Sequence, residues 1–193
     1  QASANLQLTK AVGTPYGAST LQLWFAVVVL AVLATGVGAF GALCGVADVP
    51  AWYLLGGLAS PFYITSGILL FPRMGALAAG GLFVTGQLLA SVGLDLLGLF
   101  GLARQPVSLG IVVGAGAVLA GITLIVRRQP TAGPGTTAAP ARMATGGWLV
   151  LGLAAGAVLP VQGAINARLR SVLDQPIAVG LVSFVVAALT ISV

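Results

Sequence analysis

Gln162-Gly-Ala-Ile-Asn166, with Pro176 after nine further residues, repeats at an offset of 161 the segment Gln1-Ala-Ser-Ala-Asn5, which has Pro15 after nine further residues. Leu8/Leu169, Ala26/Ala187 and Val32/Val193 match in the same ungapped register. The identities are few, but both amide pairs stand in strongly apolar sequence, where a polar side chain is costly to keep. Self-similarity at a fixed distance is the signature of an internal repeat, here of about 160 residues.

Charge spacing around these segments draws the spans. Uncharged runs cover Ala11–Ala47, Val49–Pro72, Met74–Leu94, Gln105–Val126, Met143–Ala167 and Gln175–Val193. A bilayer crossing needs about 20 apolar residues at about 1.5 Å rise each. Helices are therefore predicted near 17–41, 51–71, 75–98, 106–127, 147–170 and 176–193. With the helix that carries Gln1 and Asn5, the first copy holds five. Five is odd, so a head-to-tail duplication places the second copy upside down in the membrane. The expected fold class is an all-α membrane protein, a polytopic transmembrane helix bundle cut from a two-repeat, inverted 5+5 helix transporter fold. Residues 1–128 are the first five-helix repeat with its first helix truncated, 129–146 a flexible linker rich in Pro and Gly, and 147–193 the first two helices of the second repeat. On this reading the chain is a fragment that opens inside a helix and lacks about 95 residues and three helices at its end.

Composition agrees. Charged residues make up 6% of the chain, where a soluble domain carries about a quarter. Eight basic and three acidic side chains cannot cover a water-facing surface, and the basic ones form no patch for nucleic acid. Cys44 stands alone and there is no His, so a disulfide framework, a zinc cluster and a Cys/His nucleophile pair are unsupported. No cofactor, no metal and no enzyme activity are expected. The alternation of an outer-membrane barrel is missing. Gly36-Val-Gly38-Ala-Phe-Gly41 fits a dinucleotide fingerprint, but it closes an apolar helix instead of following a strand; close packing or a helix end is the better reading. Gly41/Gly45, Gly110/Gly114 and Gly152/Gly156 are small-xxx-small pairs suited to close helix approach.

Several stretches carry a family likeness. Leu54-Leu-Gly-Gly-Leu-Ala-Ser60, Phe71-Pro-Arg73-Met-Gly75, Gly86-Gln-Leu-Leu-Ala-Ser91 with Asp95, Gly98-Leu-Phe-Gly101, Pro106-Val-Ser108 and the paired Gln-x3-Asn segments together resemble the YdcZ-type family of the drug/metabolite transporter (DMT) superfamily. The resemblance implies five-helix units, single or fused in antiparallel pairs, in a bacterial plasma (inner) membrane, and a role in moving small metabolites. The first copy departs from the pattern at Leu21-Gln22-Leu23-Trp24, where the second has Val182-Ser183-Phe184.

Polar side chains at span depth are the candidate binding residues. Gln1 with Asn5, and Gln162 with Asn166, are four apart and share a helix face. They either meet a substrate across a pseudo-twofold axis or hydrogen-bond neighbouring helices and hold the bundle together. Gln87 with Ser91 in the fourth helix, and Tyr63 and Thr65 with Ser66 in the third, face the same choice. Asp95, the only acid near a span interior, is a candidate coupling group. Arg73 reads as interfacial. Connections on one side carry Lys10, Arg73, Arg127, Arg128 and Arg142, and those on the other Arg104, Arg168 and Arg170, an excess too small to fix orientation. The expected function is secondary transport of a small molecule by alternating access. The expected partners are the lipid bilayer, a small-molecule substrate and a second copy in a homodimer, with no nucleic acid. The alternative is a non-transporting assembly or scaffold subunit, which needs only helix packing.

Overall fold

The structure is a computed structural model in which residues 2–128 and 141–192 are described, with side chains at 7–125, 127 and 146–192. Gln1 and the side chain of Asn5 lie outside the described residues. The described residues hold no strand. Six α-helices run in the order α1 (Ala2–Val12), α2 (Pro15–Gly36), α3 (Ala59–Leu97), α4 (Leu109–Arg128), α5 (Ala141–Leu173) and α6 (Pro176–Ser192). Two 3-10 segments, Ala39–Asp48 and Ala51–Leu58, join α2 to α3. The protein is an all-α membrane helix bundle, as the sequence predicts.

Local chemistry sets the helix limits. Thr14 caps α2 from an extended conformation, its hydroxyl accepting from the Gly17 amide at 2.9 Å, and Pro15 takes the first helical position. The helix ends at Gly36, short of the expected residue 41, because Gly38 turns left-handed at φ 69°. The fingerprint-like glycine run is thus a helix end. The expected span 51–71 begins as a 3-10 segment and becomes α-helical only at Ala59. α5 starts at Ala141, so the last residues of the expected linker 129–146 are already helical.

α3 is two antiparallel helices in continuous succession. Gly75, at φ 76° and ψ 160°, breaks it three residues after Pro72. In a straight helix Gly67 and Phe83 would stand about 24 Å apart; here a Cβ on Gly67 would lie 3.7 Å from the Phe83 ring. The reversal falls where the sequence separates its spans 51–71 and 75–98.

α5 packs against both halves of this hairpin. Ser60 meets Gln162 and Arg73 lies over the Trp148 ring at 4.4 Å, so α5 runs antiparallel to the first half. Gly152 meets Leu82, and Gly86 meets Leu153 and the Ala157 amide, so it runs parallel to the second. Backbones touch there: a Cβ on Gly86 would strike the Leu153 carbonyl, and one on Gly156 the Phe83 carbonyl. Of the three small-xxx-small pairs, Gly152/Gly156 is the one packed in this way. Gly41 and Gly114 meet nothing within 4 Å.

α2 and α6 also pair antiparallel. Trp24 Nε1 donates to Ser192 Oγ at 3.1 Å, and a Cβ on Gly180 would sit 3.7 Å from Leu30. Between those points Val27 packs against Leu23, Ala187 and Ala188. The two segments related by the 161-residue offset also turn alike. α1 ends at Val12 and α5 at Leu173, α2 starts at Pro15 and α6 at Pro176, and Gly13 (φ 87°) matches Asp174 (φ 48°).

The outer surface is apolar, with Phe25, Leu77, Leu109 and Val150 each more than two-thirds exposed. Such a surface belongs in lipid. Pro15–Gly36, Ala51–Leu97 and Gly146–Leu173 are each long and apolar enough to cross a membrane, and Leu109–Ile125 and Pro176–Ser192 are shorter apolar helices. Trp148 and Arg168 lie 20 residues apart on α5, about 30 Å, the thickness of a hydrocarbon core. At the Arg168 end, its Nε donates to the Phe100 carbonyl, Arg104 Nε donates to the Leu97 carbonyl at 3.2 Å, and Trp52 packs on Phe100. Aromatic and cationic side chains thus mark both rims.

Replacing Gly156 by valine should force α3 and α5 apart and destabilise the fold by about 1–3 kcal/mol. Gly114→Ala, which meets open space, should leave it unchanged. Thermal unfolding in detergent reads both, and equal melting temperatures would contradict the backbone contact.

Candidate functional site

The buried polar side chains among the described residues are all hydroxyls: Ser19, Ser60, Thr65, Ser66, Thr85 and Ser183. In a bilayer each needs a partner inside the protein or a wet cavity. Most find a partner. Ser19 accepts from or donates to Thr65 at 3.0 Å and donates to the Pro15 carbonyl at 3.0 Å. Thr85 donates to the carbonyl of Gly81, one turn back on its own helix. Ser60 and Ser183 serve the amides of α5.

Gln162 and Asn166 share one face of α5, as their spacing requires. Gln162 Nε2 donates to Ser60 Oγ at 3.0 Å, and Ser183 Oγ donates to Asn166 Oδ1 at 2.8 Å. Both amides are half-buried and tie α5 to α3 and α6 respectively. The glycine pair of the 3-10 segment makes this possible. A Cβ on Gly56 would lie 2.6 Å from Asn166 Oδ1, and one on Gly57 would lie 2.5 Å from the Ser183 carbonyl. Neither glycine has a positive φ; what they supply is missing bulk.

A second polar group faces a cavity. Pro61, Phe62, Thr65, Ser66 and Leu69 lie on one side of the first half of α3, where they line a cavity of about 350 Å³ with Tyr16 of α2, Leu151 of α5 and Thr190 of α6. Ser66 is 3% exposed and makes no hydrogen bond among the described residues. It is seven residues from Arg73, about 10 Å along the helix, in the part of the slab nearer the Arg73 and Trp148 rim.

The remaining candidates are placed elsewhere. Tyr63 turns to the other side of the helix, its ring 5.0 Å from that of Phe83, in a cluster with Leu70 and Ala155. Gln87 is half-buried and Ser91 exposed on the second half of α3, with no hydrogen bond joining either to the residues above among the described residues. Asp95 lies two residues before the end of α3, and its carbonyl accepts from the Gln105 amide at 2.9 Å. It therefore belongs to the Arg104 rim, away from the Thr65 and Ser66 cavity. The structure brings Gln162 and Asn166 onto one interface, and Thr65 with Ser66 onto the cavity, but does not join these two groups to Gln87, Ser91 or Asp95. No group of three or more His, Cys, Asp or Glu side chains that could hold a metal occurs among the described residues.

Sequence reasoning passed over Ser60, Ser183, Ser19 and the glycine pair. Ser183 carried a readable signal, since the 161 offset sets it opposite Gln22. Gln22 Oε1 is itself buried without a partner among the described residues. Ser60 and Ser19 carried none, because serine in an apolar helix most often bonds its own backbone.

A double-mutant cycle on Asn166→Ala and Ser183→Ala should give a coupling of about 0.6–1.7 kcal/mol, the range for interhelical hydrogen bonds in membranes. Reversible unfolding in mixed micelles measures it, and additive single effects would remove the bond from the account of stability.

No curated protein and no solved structure matches the chain. A family does: the one described as "Putative inner membrane exporter, YdcZ" matches residues 1–124 and 147–193, leaving out the segment between the expected repeats. Membrane-length apolar helices, a lipid-facing outer surface and sparse charge are what an inner-membrane carrier requires. The chain belongs to the YdcZ family of DMT-type inner-membrane exporters.

Proposed function

We infer that the protein moves a small molecule across the inner membrane by alternating access, with two inverted halves rocking about the contact between α2 and α6. One observation carries this reading. α2 and α6 occupy equivalent places under the 161-residue offset, and they pack antiparallel, with Val27 against the cluster of Leu23, Ala187 and Ala188. A twofold axis in the membrane plane must pass where a residue meets its own counterpart, and the counterpart of Val27 is Ala188. The matched helix ends and the left-handed pair Gly13 and Asp174 support the same symmetry. In carriers built on inverted repeats the binding site lies near the midplane, between the repeats. The cavity lined by Thr65 and Ser66 opens between α2, α3, α5 and α6, helices of both expected copies.

In this reading Gln162 ties α5 to α3 across the two halves and Asn166 ties α5 to α6 within the second, because their hydrogen bonds are already made within the protein. The same satisfied amides would serve an assembly subunit equally well, and flux separates the two. The protein reconstituted in proteoliposomes, screened against small amines, amino acids and sugars with and without a pH gradient, should show saturable movement of at least one class. In a Cys44→Ser background, Trp24→Cys with Ser192→Cys places thiols away from the axis. Bridging them with a reducible bifunctional reagent should stop flux, and reduction should restore it. Undiminished flux through the fully bridged protein would exclude rocking at this contact. No saturable flux from folded protein would favour the assembly subunit.

A further inference from the structure

We propose that the cavity between α2, α3, α5 and α6 is a binding site for an uncharged, polyhydroxylated small molecule. The proposal rests on the carrier reading above and names its substrate class. Ser66 is the observation behind it. Its side chain is 3% exposed, yet it has no hydrogen-bond partner among the described residues. A serine in a membrane helix can bond its own backbone, as Ser19 and Thr85 do; Ser66 does not. Gln22 Oε1 is the one polar side-chain atom sealed away without a partner among the described residues, so the unpaired Ser66 oxygen opens onto the cavity it lines.

The other polar groups at the cavity are of the same kind. Thr65 Oγ1 is held by Ser19 at 3.0 Å, which fixes its rotamer and leaves a lone pair to offer. Thr190 donates to the Val186 carbonyl and keeps its own acceptor capacity. Tyr16 is exposed at the mouth and brings a phenol. Four hydroxyls, two of them with protons already engaged and able only to accept, surround a space of about 350 Å³, within the range of small-molecule sites. Phe62 adds an apolar face for the carbon skeleton.

The charge pattern excludes the other classes. Among the described residues no Asp, Glu, Lys or Arg lines the cavity. A cation or an anion there would have no counter-charge among the described lining residues, and an unpaired charge in the hydrocarbon region is strongly disfavoured. Arg73 is the nearest basic group, but its guanidinium bonds the Leu69 carbonyl at 2.9 Å and stacks on Trp148. An uncharged ligand with several hydroxyls is the chemistry that satisfies Ser66 without creating a new unpaired charge.

The test uses labelled D-glucose and myo-inositol as uncharged probes, tetraphenylphosphonium as a cation and benzoate as an anion, with the protein in lipid nanodiscs. At least one polyhydroxy probe should bind saturably, and both ions at least tenfold more weakly. Ser66→Ala should weaken the polyhydroxy probe about tenfold, the scale of one buried hydrogen bond, and leave the melting temperature unchanged, because no internal bond is lost. Ser66→Thr, which keeps the hydroxyl, should restore binding, and Thr35→Val, on the lipid-facing part of α2, should have no effect. Failure of both polyhydroxy probes to bind, tighter binding of either ion, or unaltered binding by Ser66→Ala would each overturn the proposal. Saturable transport of an ion without polyhydroxy binding would remove the substrate class and leave the carrier standing. Ser66-dependent binding with no flux of any probe would uphold the site and remove the carrier.

Discussion

A bilayer offers no water to a buried polar atom, and it offers little hydrophobic drive for one helix to seek another. What remains is close contact and internal hydrogen bonding, and this chain obtains both from glycine. Gly86, Gly152 and Gly156 let α5 press its backbone against the second half of α3. Gly56 and Gly57 let the 3-10 segment reach Asn166 and Ser183. A methyl group at Gly56, Gly57, Gly86 or Gly156 would collide with a carbonyl or amide oxygen. The glycine content of the chain, read only as composition, shows bundle packing; read by position, it shows where the polar ladder and the backbone contacts lie.

The hairpin of α3 follows from the same constraint. Two spans joined by a wide loop would leave carbonyls and amides to be satisfied at the rim. Here Pro72, Arg73 and Gly75 make the reversal almost without a loop. Pro72 has no amide to donate to the preceding turn, Arg73 donates to the Leu69 carbonyl, and Gly75 takes the left-handed φ that bulkier residues avoid. Arg73 then stacks on Trp148, which fixes α5 at that rim. At the opposite rim Arg104 and Arg168 occupy helix-end carbonyls, where cationic side chains are favoured. The few charges of the chain close helix ends as well as marking the interfaces.

Much of the fold was legible in sequence because charge is so scarce. The uncharged runs placed α2, both halves of α3, α4, α5 and α6 within a few residues of where they lie. The errors fall at Gly36–Leu58, where hydropathy sees one continuous apolar stretch and cannot distinguish α-helix from 3-10 segments wedged against a neighbour. The candidate site was legible only in part. Thr65 was found by its type and depth, and Gln162 and Asn166 by their spacing. Their roles depend on which side chains lie opposite them, and Ser60 is 102 residues from Gln162. Tyr63 shows the limit of the method, since one residue of rotation turns it from the cavity into the Phe83 cluster.

The two segments related by the 161-residue offset turn alike in backbone and differ in chemistry. Where the second carries Ser183, short enough to bond Asn166 on the adjacent helix, the first carries Gln22, whose amide oxygen is buried without a partner among the described residues. An unmatched acceptor held in an apolar setting costs about 1–3 kcal/mol, a cost that geometry favouring identical halves would have removed. The 161-residue offset thus relates the backbone turns without relating the polar contacts.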